Sequence, residues 1–312
     1  MSNQREPRAV APTVGVLGVG NMGKPMTLNL LASARARSVR VYGRTRSRLT
    51  EVEAAGALPS DTPRQLAAAS EVLLSMLPDL PELRRLFDGA NGILAGISSP
   101  TVLVIGSTSS PGEVRELRDE LDDRTGGLLH VVDAPVSGGT DGAAAGTLSI
   151  MCGADPADYA LVEHVLGAMG TPVLLGPLGS GEIAKACNQM IVASTMLALS
   201  EATVIAERAG LDVTKLLDLF SGGYAGSRLL DSRKQRLIDK DYSVSGPAKF
   251  MVKDLGFARD EAERTATATP QLTMLQHVFA GLVDAGLGDE DLSVVQAFVS
   301  SLPRATGESP TS

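Results

Sequence analysis

The chain has 312 residues, 44% hydrophobic and 21% charged, with 28 Lys plus Arg against 36 Asp plus Glu and a formal net charge of −8. These values exclude a disordered chain and argue against a basic nucleic-acid binder, and the length suggests about two domains. Cys152 and Cys187, like His130, His164 and His277, are scattered without metal-ligand spacing, so no metal is expected. The polar start, Met1–Pro12, lacks the apolar core of a signal peptide, and no apolar run reaches the ~20 residues that span a bilayer. The expectation is a cytoplasmic protein with neither a membrane nor a nucleic-acid partner. Segments 1–12 and 304–312, rich in Pro, Ser, Thr and charge, read as flexible tails.

In chain order, Thr13–Leu17, Val39–Tyr42, Val72–Met76, Val102–Ile105 and Leu129–Asp133 are short β-branched runs bounded by Gly, Pro, Ser or Asp. Helical stretches such as Met22–Ala34, Thr62–Ala69 and Glu113–Leu121 lie between them. That alternation predicts an α/β fold with a parallel sheet of Rossmann type over 13–177. Leu148–Cys152 and Pro172–Leu175 read as further strands at the sheet edge. After Gly176-Pro177 the character changes. Gly181–Ala209 contains no proline and no internal glycine, enough for one helix of ~29 residues and ~43 Å. Val213–Leu219, Arg228–Ile238, Phe250–Thr267, Gln271–Ala285 and Leu292–Leu302 are also helical, so 178–303 is predicted to be an all-α domain joined to the first by the long helix.

One local feature departs from the overall acidity. Between Glu6 and Glu51 there is no acidic residue, while Arg35, Arg37, Arg40, Arg44, Arg46 and Arg48 all fall there. The first strand runs into Gly18-Val19-Gly20-Asn21-Met22-Gly23. At a first strand-to-helix turn, such glycines permit the tight turn, admit a pyrophosphate to the backbone and let helix pack on strand. Free amide groups at the helix start then face the phosphates. The competing reading is a tight turn without a ligand.

An NAD site tends to carry an Asp or Glu after the second strand, bonding the ribose 2′-hydroxyl. Here the strand ends in Tyr42-Gly43-Arg44-Thr45-Arg46-Ser47. Two guanidiniums and two hydroxyls stand where a 2′-phosphate would lie, and the Arg fork binds phosphate oxygens in pairs. NADP is therefore favoured over NAD, with a solvated arginine-rich surface as the alternative. Arg35, Arg37 and Arg40 have no assigned role beyond the local positive field.

Two later segments complete a candidate site. Asp133-Ala134-Pro135-Val136-Ser137-Gly138-Gly139 ends a strand in a glycine turn whose amides and Ser137 hydroxyl could hold a carboxylate. Gly179-Ser180-Gly181-Glu182-Ile183-Ala184-Lys185-Ala186-Cys187-Asn188-Gln189 opens the long helix. Lys185, Asn188 and Gln189 fall on one helix face. A lysine near a helix N-terminus opposes the dipole, which suits a proton carrier. A surface Lys–Asn pair is the plain alternative.

With Lys253-Asp254-Leu255 and the Gly146-Thr147-Leu148 continuation, these four motifs in this order resemble the β-hydroxyacid dehydrogenases. That group includes 3-hydroxyisobutyrate dehydrogenase, tartronate semialdehyde reductase and glyoxylate/succinic semialdehyde reductase. The resemblance runs from Val14 to Leu302. It implies that Lys185 is the catalytic acid/base, with Asn188 orienting substrate or lysine. Ser137, Gly138 and Gly139 would hold the substrate carboxylate, with Asn188 and Gln189 beside it. Gly18, Gly20, Asn21, Met22, Gly23, Arg44, Thr45, Arg46, Leu77, Pro78, Thr108 and Lys253 would contact the cofactor, Lys253 near the nicotinamide. The resemblance also implies a homodimer or larger homo-oligomer, formed through the helical domain. Ile105, Ser180 and Gln189 depart from the family's commoner residues. Lys185 argues against the imine reductases of the same fold, and the chain is too short for an ordinary 6-phosphogluconate dehydrogenase. A non-catalytic NADP(H) sensor is the alternative from another functional class.

Overall fold

A computed structural model describes residues 11–303, so the expected tails lie outside it except for Ala11 and Pro12. The chain divides into two compact units, the first ending at Ala186 and the second beginning at Cys187.

The first unit contains β1 (Thr13–Leu17), α1 (Gly23–Ala32), β2 (Ser38–Tyr42), α2 (Thr50–Ala54), β3 (Leu58–Pro59), α3 (Pro63–Ala68), β4 (Val72–Ser75) and α4 (Leu80–Arg84). It continues with β5 (Thr101–Ile105), α5 (Pro111–Thr125), β6 (Leu129–Asp133), β7 (Val136–Ser137), α6 (Gly139–Ala145), β8 (Leu148–Gly153), α7 (Pro156–Leu166) and β9 (Gly170–Gly176). The sheet order is β3-β2-β1-β4-β5-β6-β8-β7, with β9 paired to β8. The six strands from β3 to β6 are parallel. β8 runs antiparallel to β6 and β7, and β9 lies parallel to it. This is the doubly wound order whose connection reverses between β1 and β4, where such sheets open a ligand crevice.

β1, β4 and β5 are buried along their whole length, as strands covered on both faces must be. Alternate residues then serve opposite faces. Val14, Val16, Val72, Leu74, Val102 and Val104 enter one core with Met26 and Leu30 of α1. Leu17, Leu73, Leu103 and Ile105 enter the other with Leu117 and Leu121 of α5. Several helices begin where a side-chain oxygen caps an amide: Thr62 at Gln65, Asp79 at Glu82, and Ser110 at Glu113, each followed by a proline in the first turn.

The arginines left without a role pin this unit together. Arg35 donates to the His164 carbonyl at 3.1 Å, and Arg40 donates to Ser60 Oγ at 3.2 Å. Arg37 bonds Glu71 at 2.7 Å and Thr13 Oγ1 at 3.0 Å.

α8 (Ser180–Arg208) carries the chain into the second unit, which adds α9 (Val213–Ser221), α10 (Arg228–Asp239), α11 (Phe250–Arg264), α12 (Pro270–Asp284) and α13 (Val295–Ser301). Among the described residues α8 alone is long and apolar enough to cross a membrane by length and composition, with a mean hydropathy of 1.4 over its most apolar 18 residues. This corrects the expectation that no run has that length. Ser194, Thr195 and Thr203 interrupt the apolar sequence, but their hydroxyls bond back to helix carbonyls. Ala193, Met196, Leu197 and Leu199 of α8 are buried in the core of the second unit with Leu217, Leu237, Leu275 and Phe279.

Asp291, fully buried, organises the approach to α11. Its carboxylate accepts from Ser293 N–H at 3.0 Å and from the Ser245 hydroxyl, and lies 3.5 Å from Arg233. Ala248 N–H and Lys249 N–H donate to the carbonyls of Glu290 and Gly288, so the segment before α11 is held against residues 288–291. Burial alone would raise the Asp291 carboxyl, but Ser245, Ser293 and Arg233 hold it below the usual range. A carboxyl lowered in the fold contributes stability above its unfolded value near 3.8, and that stability is lost as pH falls through the folded value. Asp291→Asn is therefore expected to lower the melting temperature at neutral pH, with a cost on the order of 3 kcal/mol from the uncompensated arginine. The deficit should shrink in melts below pH 3.8, and a deficit constant with pH would refute the ionised pair.

Candidate active site

The glycine turn occupies the end of β1. Gly18 adopts φ +91°, and a Cβ there would meet the Met76 carbonyl oxygen at 2.7 Å. A Cβ on Gly23 would lie 1.9 Å from the Gly18 carbonyl oxygen, so helix and strand meet only because no side chain intervenes. Around Gly20 there is no atom within 4 Å of that position. The three positions thus divide into two that must be empty for the chain to close on itself and one that leaves open space beside half-buried backbone. Asn21 is exposed and Met22 half-buried. The first turn of α1 carries no acidic residue. This cradle fits a pyrophosphate.

The other residues expected at this site line the same edge of the sheet. Leu77 and Pro78 follow β4, with the Leu77 amide nitrogen 2.9 Å from the position of a Gly18 Cβ. Arg44 and Thr45 follow β2, and Arg46 opens a short 3-10 turn. Thr108 follows β5 and is half-buried. In sequence no carboxylate lies near the arginines, but the fold supplies them. Arg44 Nη2 is 3.0 Å from Glu82 Oε2, and Arg46 Nη2 is 3.5 Å from Glu53 Oε1. Lys24 is likewise 2.7 Å from Glu51. The acid-free stretch has its acids in other elements.

The start of α8 is held by two buried carboxylates whose roles the motifs did not disclose. Asp133, at the end of β6, accepts from Gly179 N–H and Glu182 N–H, each at 2.7 Å. Burial pushes its carboxyl up to about 6, against the lowering by the amides of Gly179, Glu182 and Gly181. Glu182, fully buried, accepts from Ser109 N–H at 2.9 Å and so ties the loop after β5 to the same helix. A carboxylate at a helix N-terminus also meets the positive end of its dipole. The readable signal was an acid in the first turn of α8 and an Asp ending a core strand.

One turn further on, Lys185 is 7% exposed, and its ammonium donates to the Val136 carbonyl at 2.7 Å. Val136 precedes Ser137, Gly138 and Gly139, which run from the end of β7 into the start of α6. Gly138 and Gly139 are exposed, with φ +133° and +63°. Within the first unit, lysine and glycine turn are therefore adjacent. Ile105, where the family commonly has an Asp or Asn, is fully buried in the apolar core.

In the second unit, Asn188 Nδ2 donates to Gln189 Oε1 at 3.0 Å, and Gln189 Nε2 donates to Asp254 Oδ2 at 2.7 Å. The other carboxylate oxygen of Asp254, 3.0 Å away, accepts from Lys253. Lys253 Nζ also lies 5.2 Å from the centroid of the Phe257 ring. Asp254 is 4% exposed, so this carboxylate joins α8 to α11 through a buried, fully occupied pair of oxygens.

Two family models together cover these features. The NAD-binding domain of 6-phosphogluconate dehydrogenase matches residues 13–179. The NAD-binding domain of NADP-dependent 3-hydroxyisobutyrate dehydrogenase matches residues 179–298. A probable 3-hydroxyisobutyrate dehydrogenase-like 3 protein, mitochondrial, of Arabidopsis thaliana is 35% identical over 96% of this chain and 91% of its own. An NAD-dependent L-serine dehydrogenase of Pseudomonas aeruginosa is 32% identical over 91% and 96%. The solved structure of a 3-hydroxyisobutyrate dehydrogenase of Mycobacterium tuberculosis, with L-serine, is 28% identical over 93% of this chain and 99% of that one, with a TM-score of 0.78. The chain belongs to the β-hydroxyacid dehydrogenase family. It is an NAD(P)-dependent oxidoreductase acting on hydroxy acids.

Asp133→Ala is expected to strip two buried amides of their acceptor, at about 1–3 kcal/mol for each. Thermal denaturation should show a melting temperature several degrees lower; an unchanged value would refute the anchoring role.

Proposed function

We propose that the enzyme interconverts a small 3-hydroxy acid, or a related hydroxy acid, with its semialdehyde or oxo acid, and prefers NADPH. When bound at the glycine cradle, the nicotinamide cofactor supplies the hydride in reduction and accepts it in oxidation. Lys185 is the proton carrier. Its ammonium donates to the oxygen of the carbonyl being reduced, and its neutral amine takes the hydroxyl proton in the reverse direction. Ser137 with the amides of Gly138 and Gly139 holds the substrate carboxylate, and Asn188 and Gln189 orient the substrate. Asn21, Met22, Leu77, Pro78 and Thr108 flank the cofactor, and Lys253 contacts it near the nicotinamide.

The observation that carries this reading is the nearly buried Lys185 ammonium, hydrogen-bonded at 2.7 Å to the carbonyl immediately before the Ser137–Gly139 turn. A lysine kept only for solubility has no reason to stand there. The NADP preference rests on Arg44, Thr45 and Arg46 after β2, where no carboxylate in the β2–α2 loop is available to a ribose 2′-hydroxyl. The same reading makes 13–177 the cofactor domain and 178–303 the substrate and dimerisation domain of a cytoplasmic homodimer. Two unpaired cysteines accord with a reducing compartment.

Loss of NADPH absorbance with glyoxylate, succinic, tartronate and methylmalonate semialdehydes, repeated with NADH, identifies the substrate. With the best of these, Lys185→Ala should lower kcat by about 10²–10⁴-fold while cofactor affinity is retained. Retained turnover would overturn the assignment. Arg44→Asp should weaken NADPH binding far more than NADH binding, and equal effects would overturn the 2′-phosphate reading.

A further inference from the structure

Arg44 lies just past β2 and Glu82 in the first turn of α4, just past β4. In the sheet β1 runs between β2 and β4, and the Gly18–Gly23 turn leaves its end. The Arg44–Glu82 pair, closed at 3.0 Å, therefore joins the loops on either side of the strand whose turn would hold the pyrophosphate. The adenosine half of a dinucleotide lies over this end of the sheet. Glu82 is well placed to persist there. Its amide is fixed by the Asp79 cap at 2.9 Å, and its side chain is only 22% exposed, against 67% for Arg44. Its other oxygen is paired with Arg85, three residues on at the end of α4.

Resting on the NADP reading above, we infer that Glu82 is a specificity-determining residue: it competes with the ribose 2′-phosphate for Arg44, and Arg85 is the partner it keeps when Arg44 turns to the phosphate. The phosphate offers a higher charge and a bidentate face to the same guanidinium, so the exchange runs toward the cofactor. Arg85 keeps Glu82 compensated throughout, so releasing Arg44 strands no carboxylate. NADH offers Arg44 no dianion, and its binding draws nothing from the exchange. The effect of Glu82 is then to narrow the gap between the two cofactors rather than to create it.

The test is direct titration of the full chain with NADPH and with NADH, by calorimetry, for wild type, Glu82→Gln, Arg85→Ala and the double variant, with melting curves to confirm folding. Exposed ion pairs are weak, so Glu82→Gln should tighten NADPH by about two- to five-fold and leave NADH unchanged. Arg85→Ala should weaken NADPH alone, because Glu82 then holds Arg44 more firmly. The double variant should match Glu82→Gln. If Glu82→Gln leaves NADPH unchanged or weakens it, the competition is refuted. If Arg85→Ala weakens NADPH equally in both backgrounds, Arg85 acts only as a positive charge and the exchange is refuted. Failure of the underlying NADP reading shows separately, as an unaltered NADPH/NADH ratio in Arg44→Asp.

Discussion

The candidate site depends on a buried carboxylate. Asp133 ends a strand in the middle of the first unit, and both its oxygens are taken by amides that open α8. Glu182 returns the connection from the helix to the loop after β5. These contacts turn a flexible four-carbon lysine stem into a defined donor, because the backbone that carries Lys185 is fixed from two strands at once. Such carboxylates are tolerable inside the fold only because helix amides meet them, and the helix start in turn needs an acceptor for amides that have none within the helix. Each side answers the other's unpaired group.

Much of the architecture was legible because it follows from periodicity. Thr13–Leu17 is buried along its whole length and Leu129–Asp133 everywhere but at His130, and both read as strands without reference to partners. The long helix was visible as an absence of Gly and Pro. Elements set by tertiary pairing were not legible: β3 and β7 have two residues each, and neither carries enough sequence to show a period. The short helices α2, α4 and α6 escaped for the same reason.

At the site, the glycines were readable because their conformational demand is local, as the 1.9 Å approach at Gly23 illustrates. Ion-pair partners were not. Glu82, Glu53 and Glu71 lie well away in sequence from some of the arginines they meet, or behind a turn, and no spacing rule connects them. Counting charges along the chain suggested an uncompensated cationic stretch. In three dimensions Lys24, Arg37, Arg44 and Arg46 already face carboxylates, so an anion arriving at Arg44 must displace one rather than fill a vacancy. Asp254 makes the same point for α11, where both of its oxygens are committed to groups from two helices.

The two cysteines lead very different chemical lives. Cys152 is fully buried in β8, and burial pushes its thiol up to about 12, so almost no thiolate forms there near neutrality. Cys187 is exposed on α8, two residues beyond Lys185. A thiol-directed reagent therefore meets a single exposed address on the described protein, on the helix that carries the proposed proton carrier. That thiol gives a spectroscopist one place to hang a reporter and gives thiol oxidation one place to begin.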